Sequence, residues 1–242
     1  MSDEIRKKVA MTSRMLYSDN LVSDVGHVSI RDPDSGNIFI NPLMAGRGSV
    51  HPEDIVEVTP DGEVLDEGKE AVKELEIHTG LLRARDDLDS VIHAHPPYAT
   101  LFGMTGTELR PVYFRSGRSM GADAVPVFEE PGLIVTKDES ARMVASMEGR
   151  DFLIIRGHGA VIAGQSVKEA FFRTHLMEEN AYFQLFASIL GNPNFLTREE
   201  IEKAQQPAGM SDGEDIENLS ANKFWDYHIW KAQQNGFLPE DW

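Results

Sequence analysis

Apolar residues recur along this chain in two rhythms. Over residues 3–19 the spacing is helical: Ile5, Val9 and Leu16 share one face with Thr12 between them, and charged side chains lie elsewhere. "HVSIRD" and "NIFINP" alternate instead, and the turn "DPDSGN" between them predicts a hairpin. "DIVEVTPDGEVLD" repeats that pattern around Pro60-Asp61-Gly62. A helix is expected over Lys69 to Arg85, then a strand at "SVIHAHP", and further strands at "RPVYF" and "PGLIVT". "DESARMVASM" predicts a short helix capped by Asp138 or Ser140. "DFLIIRGHGAVIAG" predicts two strands around a glycine-rich bend. Residues 166–190 predict a long helix, capped by Ser166 and ended at Gly191. From residue 197 onward short helices carry exposed-looking aromatics: Phe224, Trp225, Tyr227, Trp230 and Trp242. Hairpins dominate the strand connections. This favours a largely antiparallel sheet covered by helices over a parallel dinucleotide-binding fold.

Composition narrows the setting. The 242 residues show no linker-like tract and no internal repeat, and 41% are hydrophobic, which suits a packed core. No apolar run approaches the ~20 residues of a membrane helix, and the charged N-terminus lacks a signal-peptide core. There is no cysteine, so disulfides, thiolate metal sites and a Cys nucleophile are excluded. A cytoplasmic protein is the default expectation. The net charge of −17 repels phosphate backbones, which argues against a nucleic-acid partner. The carboxylates are spread along the chain and form no cation-binding tail.

The candidate chemistry sits in histidines. His93 and His95 end an apolar run, and residues i and i+2 of a strand project to the same face. Two such imidazoles can grip one divalent ion at about 2.0–2.1 Å per bond, and they equally suit a hydrogen-bonded structural pair. His158, between Gly157 and Gly159, is a candidate third ligand, because flanking glycines let the backbone approach another element closely. Three neutral imidazoles would leave a dication its full charge, a strong Lewis acid for a chelating anionic oxygen.

On the expected helix 69–85, Glu74 shares a stripe with Leu75, His78, Leu81, Leu82 and Arg85, whereas Glu76 lies with Gly80 and Arg83. Glu74 is therefore the candidate acid/base or ligand, with a buried ion pair to Arg85 as the plainer reading. His78 suits either a hydrogen bond to the core or support of the site. Arg115 and Arg118 can bind a substrate carboxylate bidentately or pair with surface acids. Tyr113 can donate a proton or fill the core. His27 faces either substrate or solvent. Lys73 and Arg47 are candidates for an anion clamp. His51, His175 and His228 are expected to be loop or structural residues.

Taken together, Glu74…His78, "HAHPP" and "RGHG" resemble the class II aldolase/adducin family, with the resemblance spanning about residues 3 to 205. It implies an α/β fold: a three-layer α/β/α sandwich around a mostly antiparallel sheet. It also implies one divalent ion per subunit (Zn, or Mn, Fe or Co) on His93, His95 and His158, with Glu74 as catalytic carboxylate, and a homotetramer. Residues 1–205 would form the catalytic domain. Residues 206–242 would form a helical tail packing on it or on a neighbouring subunit.

Sugar-phosphate members cradle phosphate with small and hydroxyl residues at three places; here these read "GHVS", "NPLMAGRG" and Val72-Lys73. Most of those hydroxyls are missing. "VHPEDIVEVTPDGEV" and "RSGRSMGADAVPVFE" look closer to the branch that handles hydroxylated aromatic acids, which includes decarboxylases. The expectation is a metal-dependent carbon–carbon lyase acting on a small anionic, non-phosphorylated acid by decarboxylation or retro-aldol cleavage. Glu74 and Tyr113 would be catalytic, and His27, Lys73, Arg115 and Arg118 would bind substrate. The alternatives are a fuculose-phosphate-type aldolase, an iron oxygenase on the same histidines, or an adducin-like scaffold.

Overall fold

The computed structural model describes residues 2–205 and 215–242. Among them seven strands form one sheet in the order β3-β2-β1-β4-β7-β6-β5: β1 (His27–Arg31), β2 (Ile38–Ile40), β3 (Val56–Val58), β4 (Ser90–Ala94), β5 (Val127–Phe128), β6 (Phe152–Ile155) and β7 (Gly159–Gly164). Every pairing is antiparallel except β5 with β6. Hairpins join β1 to β2 and β6 to β7, as the alternating runs predict.

The two-residue period sorts the central strands between two cores. Val91, Leu153, Ile155, Val161 and Ala163 face one way, where α2 (Leu75–Ala84) and α5 (Lys137–Ser146) cover them. Ile92 and Ala94 face the other way, against α1 (Ser2–Ser18) and α6 (Val167–Leu190). Helices α3 (Pro97–Phe102), α4 (Phe114–Met120), α7 (Arg198–Gln205) and α8 (Ile216–Gln234) complete the fold. The result is a three-layer α/β/α sandwich. Burying each large aliphatic side chain in these layers contributes roughly 1.5–3 kcal/mol. No helix among the described residues is long and apolar enough to cross a membrane.

Several elements differ from the sequence reading. The helix expected from Lys69 begins only at Leu75, because residues 69–74 are tied to loops. Leu43 donates its N–H to the Glu70 carbonyl at 2.9 Å, Ala71 bridges Pro42, and the Lys69 ammonium donates to the Ile55 carbonyl at 2.9 Å. "RPVYF" forms no strand: Gln184 accepts from Arg110 N–H and Asn180 from those of Val112 and Tyr113, so α6 side chains replace a neighbouring strand. In "PGLIVT", Glu74 takes the Ile134 N–H, and Glu139 takes those of Val135 and Thr136. The cap of α5 is Thr136, which forms a capping box with Glu139. Helix α6 starts and stops where expected, with Ser166 accepting from Glu169 N–H and Gly191 at its end. In the tail, Trp225 is buried while Tyr227 and Trp230 are exposed. Helix α8 packs on α1 and α6; residues 206–214, with which the expected tail begins, lie outside the described residues.

Candidate metal and active site

Strand pairing builds one wall of the site. His27 on β1 lies directly opposite His93 on β4, with ring centroids 5.0 Å apart. His95 falls just beyond β4, where its N–H donates to the Leu21 carbonyl at 3.0 Å. His158 occupies the turn between β6 and β7, where Gly157 takes φ +65°. At Gly159 a Cβ would sit 2.5 Å from both the Ala94 carbonyl oxygen and His95 Cδ2, so only glycine lets β7 pass this close.

The ring nitrogens are sorted by their partners. His93 Nδ1 faces the Ala160 carbonyl at 3.0 Å, and His158 Nδ1 faces that of Gly132 at 2.9 Å. A carbonyl only accepts, so the ring proton sits on Nδ1 and Nε2 keeps its lone pair. His95 Nε2 lies 3.1 Å from His93 Nε2, and one ring nitrogen from each of His93, His95 and His158 falls within 4.8 Å of the others. Fixing the tautomer from behind while lone pairs converge in front is how imidazoles are arranged for a divalent ion; the residues fit such an ion. Burial first, then neighbouring imidazoles, pushes His93 well below its ordinary value and His95 down to about 4. Those two rings are thus unprotonated at neutral pH.

Glu74 immediately precedes α2 and its side chain turns to this cluster. Oε1 accepts from Ile134 N–H at 3.2 Å. Oε2 stands 3.7 Å from Nε2 of His93, 3.7 Å from that of His158 and 3.8 Å from that of His27. Burial raises its pKa. The alternative reading of Glu74, an ion pair with Arg85, is not formed: Arg85 pairs with Asp87 and Asp151. Glu76 pairs with Arg83 at 2.7 Å. Behind the wall, His27 Nδ1 contacts His78 Nε2 at 3.0 Å and His78 Nδ1 contacts Ser29 Oγ at 2.7 Å. Burial lowers His27 and pushes His78 down to about 3. Glu74, His27, His78 and Ser29 therefore form one polar file.

A cavity of about 560 Å³ opens on the cluster, and His27, Lys73, Glu74, His95, His158 and Arg47 line it. Arg47 is buried, and its Nε and Nη1 donate to the carbonyls of Gly26, Pro42 and Ala45. Desolvation lowers it to about 10. The catalytic candidate Tyr113 and the substrate-binding candidates Arg115 and Arg118 lie elsewhere. Tyr113 caps α4 and packs on Phe183 with centroids 4.8 Å apart. Arg115 lies over Phe172 and Phe224 and 3.7 Å from Glu179. Arg118 donates to Ser220 at 3.0 Å. The reason is local: 110–113 is held on α6 as the lead-in to a helix, which turns these three side chains to α6 and α8. Sequence reasoning passed over Ser29 and the anchoring carbonyls of Ala160, Gly132 and Leu21. The "GHVS" run carried a signal for Ser29, but any residue can supply a carbonyl.

Comparison with known proteins adds an independent line. The sequence profile described as Class II Aldolase and Adducin N-terminal domain matches residues 7–185. A 3,4-dihydroxyphthalate decarboxylase of Rhodococcus jostii is 31% identical over 230 residues, covering 90% of this chain and 89% of the relative. A 5-deoxy-D-ribulose 1-phosphate aldolase of Bacillus thuringiensis is 27% identical over 203 residues, covering 84% of this chain and 93% of the relative. A crystal structure of an aldolase II superfamily protein from Pseudomonas syringae matches with a TM-score of 0.79 at 25% identity, covering 98% of this chain and 94% of that one.

Proposed function

We propose that this chain, which belongs to the class II aldolase and adducin family, decarboxylates a hydroxylated aromatic acid. At the coarser level it is a lyase of the metal-dependent class II aldolase type, and the scaffold alternative gives way to that. The finer reading rests on one observation: Glu74 Oε2 faces three imidazoles in the cavity that Arg47 and Lys73 line.

His93, His95 and His158 would hold the divalent ion, which would act as a Lewis acid on the substrate's chelating oxygens. Zinc suits three neutral imidazoles, with manganese, iron or cobalt as alternatives. Arg47 and Lys73 bind and orient the anionic end of the substrate. Glu74 gives its proton to the ring carbon that bears the carboxylate, the new C–H bond drawing its electron pair from the ring as the ortho hydroxyl oxygen supports the resulting dearomatised ring. The bond from that carbon to the carboxylate then breaks, CO₂ leaves, and the electron pair returns to the ring and restores its aromaticity. Burial raises its pKa, which favours carriage of that proton. His27, with His78 and Ser29 behind it, returns a proton to Glu74. Tyr113, Arg115 and Arg118 take no part within a single chain. Phe186, Ile189 and Leu190, exposed on α6, support a homo-oligomer, read as a tetramer; a cytoplasmic setting belongs to the same proposal.

The test is turnover of metal-loaded protein on ortho-hydroxylated benzoates, 3,4-dihydroxyphthalate included, following CO₂ release and deuterium uptake at the vacated ring carbon in D₂O. The aldolase relative favours a second reading, in which Arg47 and Lys73 take a sugar phosphate. A higher kcat/KM for a sugar phosphate than for every unphosphorylated acid selects that reading and overturns the first. Turnover without O₂ separates both from an oxygenase.

A further inference from the structure

A second polar cluster lies on the other face of the sheet. Asp19 follows the last residue of α1, and its side chain is 6% exposed. Its Oδ2 accepts from His175 Nε2 at 2.9 Å and from His228 Nδ1 at 2.7 Å, and its Oδ1 accepts from the Lys231 ammonium at 2.7 Å. His175 Nδ1 faces the Phe171 carbonyl at 2.9 Å, so both of its nitrogens face acceptors. One carboxylate thereby ties the end of α1 to α6 and α8. Burial raises its pKa, and the hydrogen bonds from His175 and His228 outweigh this, holding it below the ordinary carboxylate range.

The tie reaches the metal cluster through two residues of backbone. Leu21 supplies the carbonyl that accepts from His95 N–H at 3.0 Å. The ladder between β4 and β7 ends at Ala94 opposite Ala160, so the sheet does not hold the His95 backbone. On its other flank, Glu178, one turn after His175 on α6, accepts from the N–H groups of Tyr98 and Ala99 at 2.8–3.1 Å. Helix α6 therefore holds both Asp19, two residues before the carbonyl that takes His95 N–H, and the chain just after His95.

We propose that Asp19 is a positioning residue: tied to His175, His228 and Lys231, it places the Leu21 carbonyl, which aims the His95 imidazole at the metal. This rests on reading His95 as a ligand. Asp19, His175 and His228 also have the donor set of a metal site in their own right. Lys231 already supplies a cation there, and the carboxylate takes the histidine N–H groups, so a second ion is not part of the proposal.

The experiment loads metal-free protein with Co²⁺ and reads ions bound per chain, the Co²⁺ dissociation constant, the visible absorption band and the thermal midpoint. The variants are Asp19→Ala, Asp19→Asn, His95→Ala and Glu217→Gln, the last weakening an unrelated ion pair with Arg173. Losing a partner that orients a ligand weakens metal affinity roughly 10- to 100-fold. Asp19→Ala is expected to do so and to shift the band, with Asp19→Asn between it and wild type. Glu217→Gln lowers the midpoint without moving either. If Asp19→Ala fails to fold, Asp19→Asn and Lys231→Met carry the test. An unchanged constant and band at a lowered midpoint makes the tie purely structural and overturns the proposal. Two ions in wild type and one in Asp19→Ala overturns it in favour of a second metal site. Full Co²⁺ binding by His95→Ala sinks the ligand assignment on which the proposal rests.

Discussion

Asp19, His175 and His228 converge as His93, His95 and His158 do: in each trio one possible ligand atom per residue falls within 4.8 Å of the others. What separates the trios is where the protons point and whether a cation is already present. In the first, backbone carbonyls take the Nδ1 protons of His93 and His158, so lone pairs face inward onto an open cavity. In the second, the carboxylate takes both imidazoles, and Lys231 supplies the compensating charge. Proximity of donor types is thus a poor guide to metal binding; the second partner of each ring nitrogen decides it.

The sharpest way to break the comparison is to remove one donor from each trio. His158→Ala is expected to lose the ion and to lower kcat by roughly 10³-fold or more, the several kcal/mol that a Lewis acid supplies, with the circular-dichroism spectrum unchanged. Wild-type metal content in a folded His158→Ala protein would leave the first trio no different from the second. Next in size, Glu74→Gln at saturating metal should lower kcat by about 10²–10⁴-fold. Glu76→Gln, which loses only its pair with Arg83, should stay near wild type; equal losses would mean that the carboxylate is misassigned.

Asp19→Ala should lower stability as well as metal affinity. Stranding buried histidines and Lys231 costs about 3 kcal/mol, at the low end for a broken buried pair because Lys231 is 37% exposed. At about 2–4 °C per kcal/mol for a domain of this size, the melting midpoint falls by roughly 6–12 °C, whereas His158→Ala should barely move that of the metal-free protein.

Smallest per pH unit and per group is the pH dependence of metal-free stability. Burial holds His78 at about 3 and His95 at about 4, against 6.5 for a free histidine. Below pH 6.5 the unfolded chain therefore binds protons that the fold refuses. Stability is full above that pH and falls toward pH 4, by up to about 1.4 kcal/mol per pH unit for each such group. The Asp19 carboxyl has its folded value depressed below 3.8, so its share survives to about that pH and is lost only on further acidification. Denaturant midpoints from pH 7 to 4 should fall for wild type and fall less steeply for His95→Ala; parallel slopes would count against the burial of that ring as their cause.

Much of the site was legible in the sequence because its signals are local. The alternation in "SVIHAHP" puts His93 on the cavity side, and Gly159 marks a close passage of backbones, whereas Gly157 has open space around it and serves a left-handed turn. Glu74 does face the histidines, but through a different geometry from the expected helix stripe: it precedes α2 and is steered by Ile134 N–H. The strands expected at "RPVYF" and "PGLIVT" failed for a reason that a linear pattern does not contain, since side chains of Asn180, Gln184, Glu74 and Glu139 satisfy their N–H groups. Asp19, His175 and His228 are too far apart in sequence to announce themselves together.

The cross-strand pairing of His27 with His93 bears on how a refolding experiment can be scored. A slip of one residue between β1 and β4 would send His27 to the opposite face of the sheet from His93. His158 joins His93 and His95 only once β6 and β7 have closed on β4. A chain that is unfolded or out of register between β4 and β7 keeps at most the local pair His93 and His95, so tight metal capture would report native β4–β7 register, not mere collapse. A chromophoric chelator competing for the ion during refolding would then time the arrival of the correctly threaded sheet, separately from the earlier gain of helix signal.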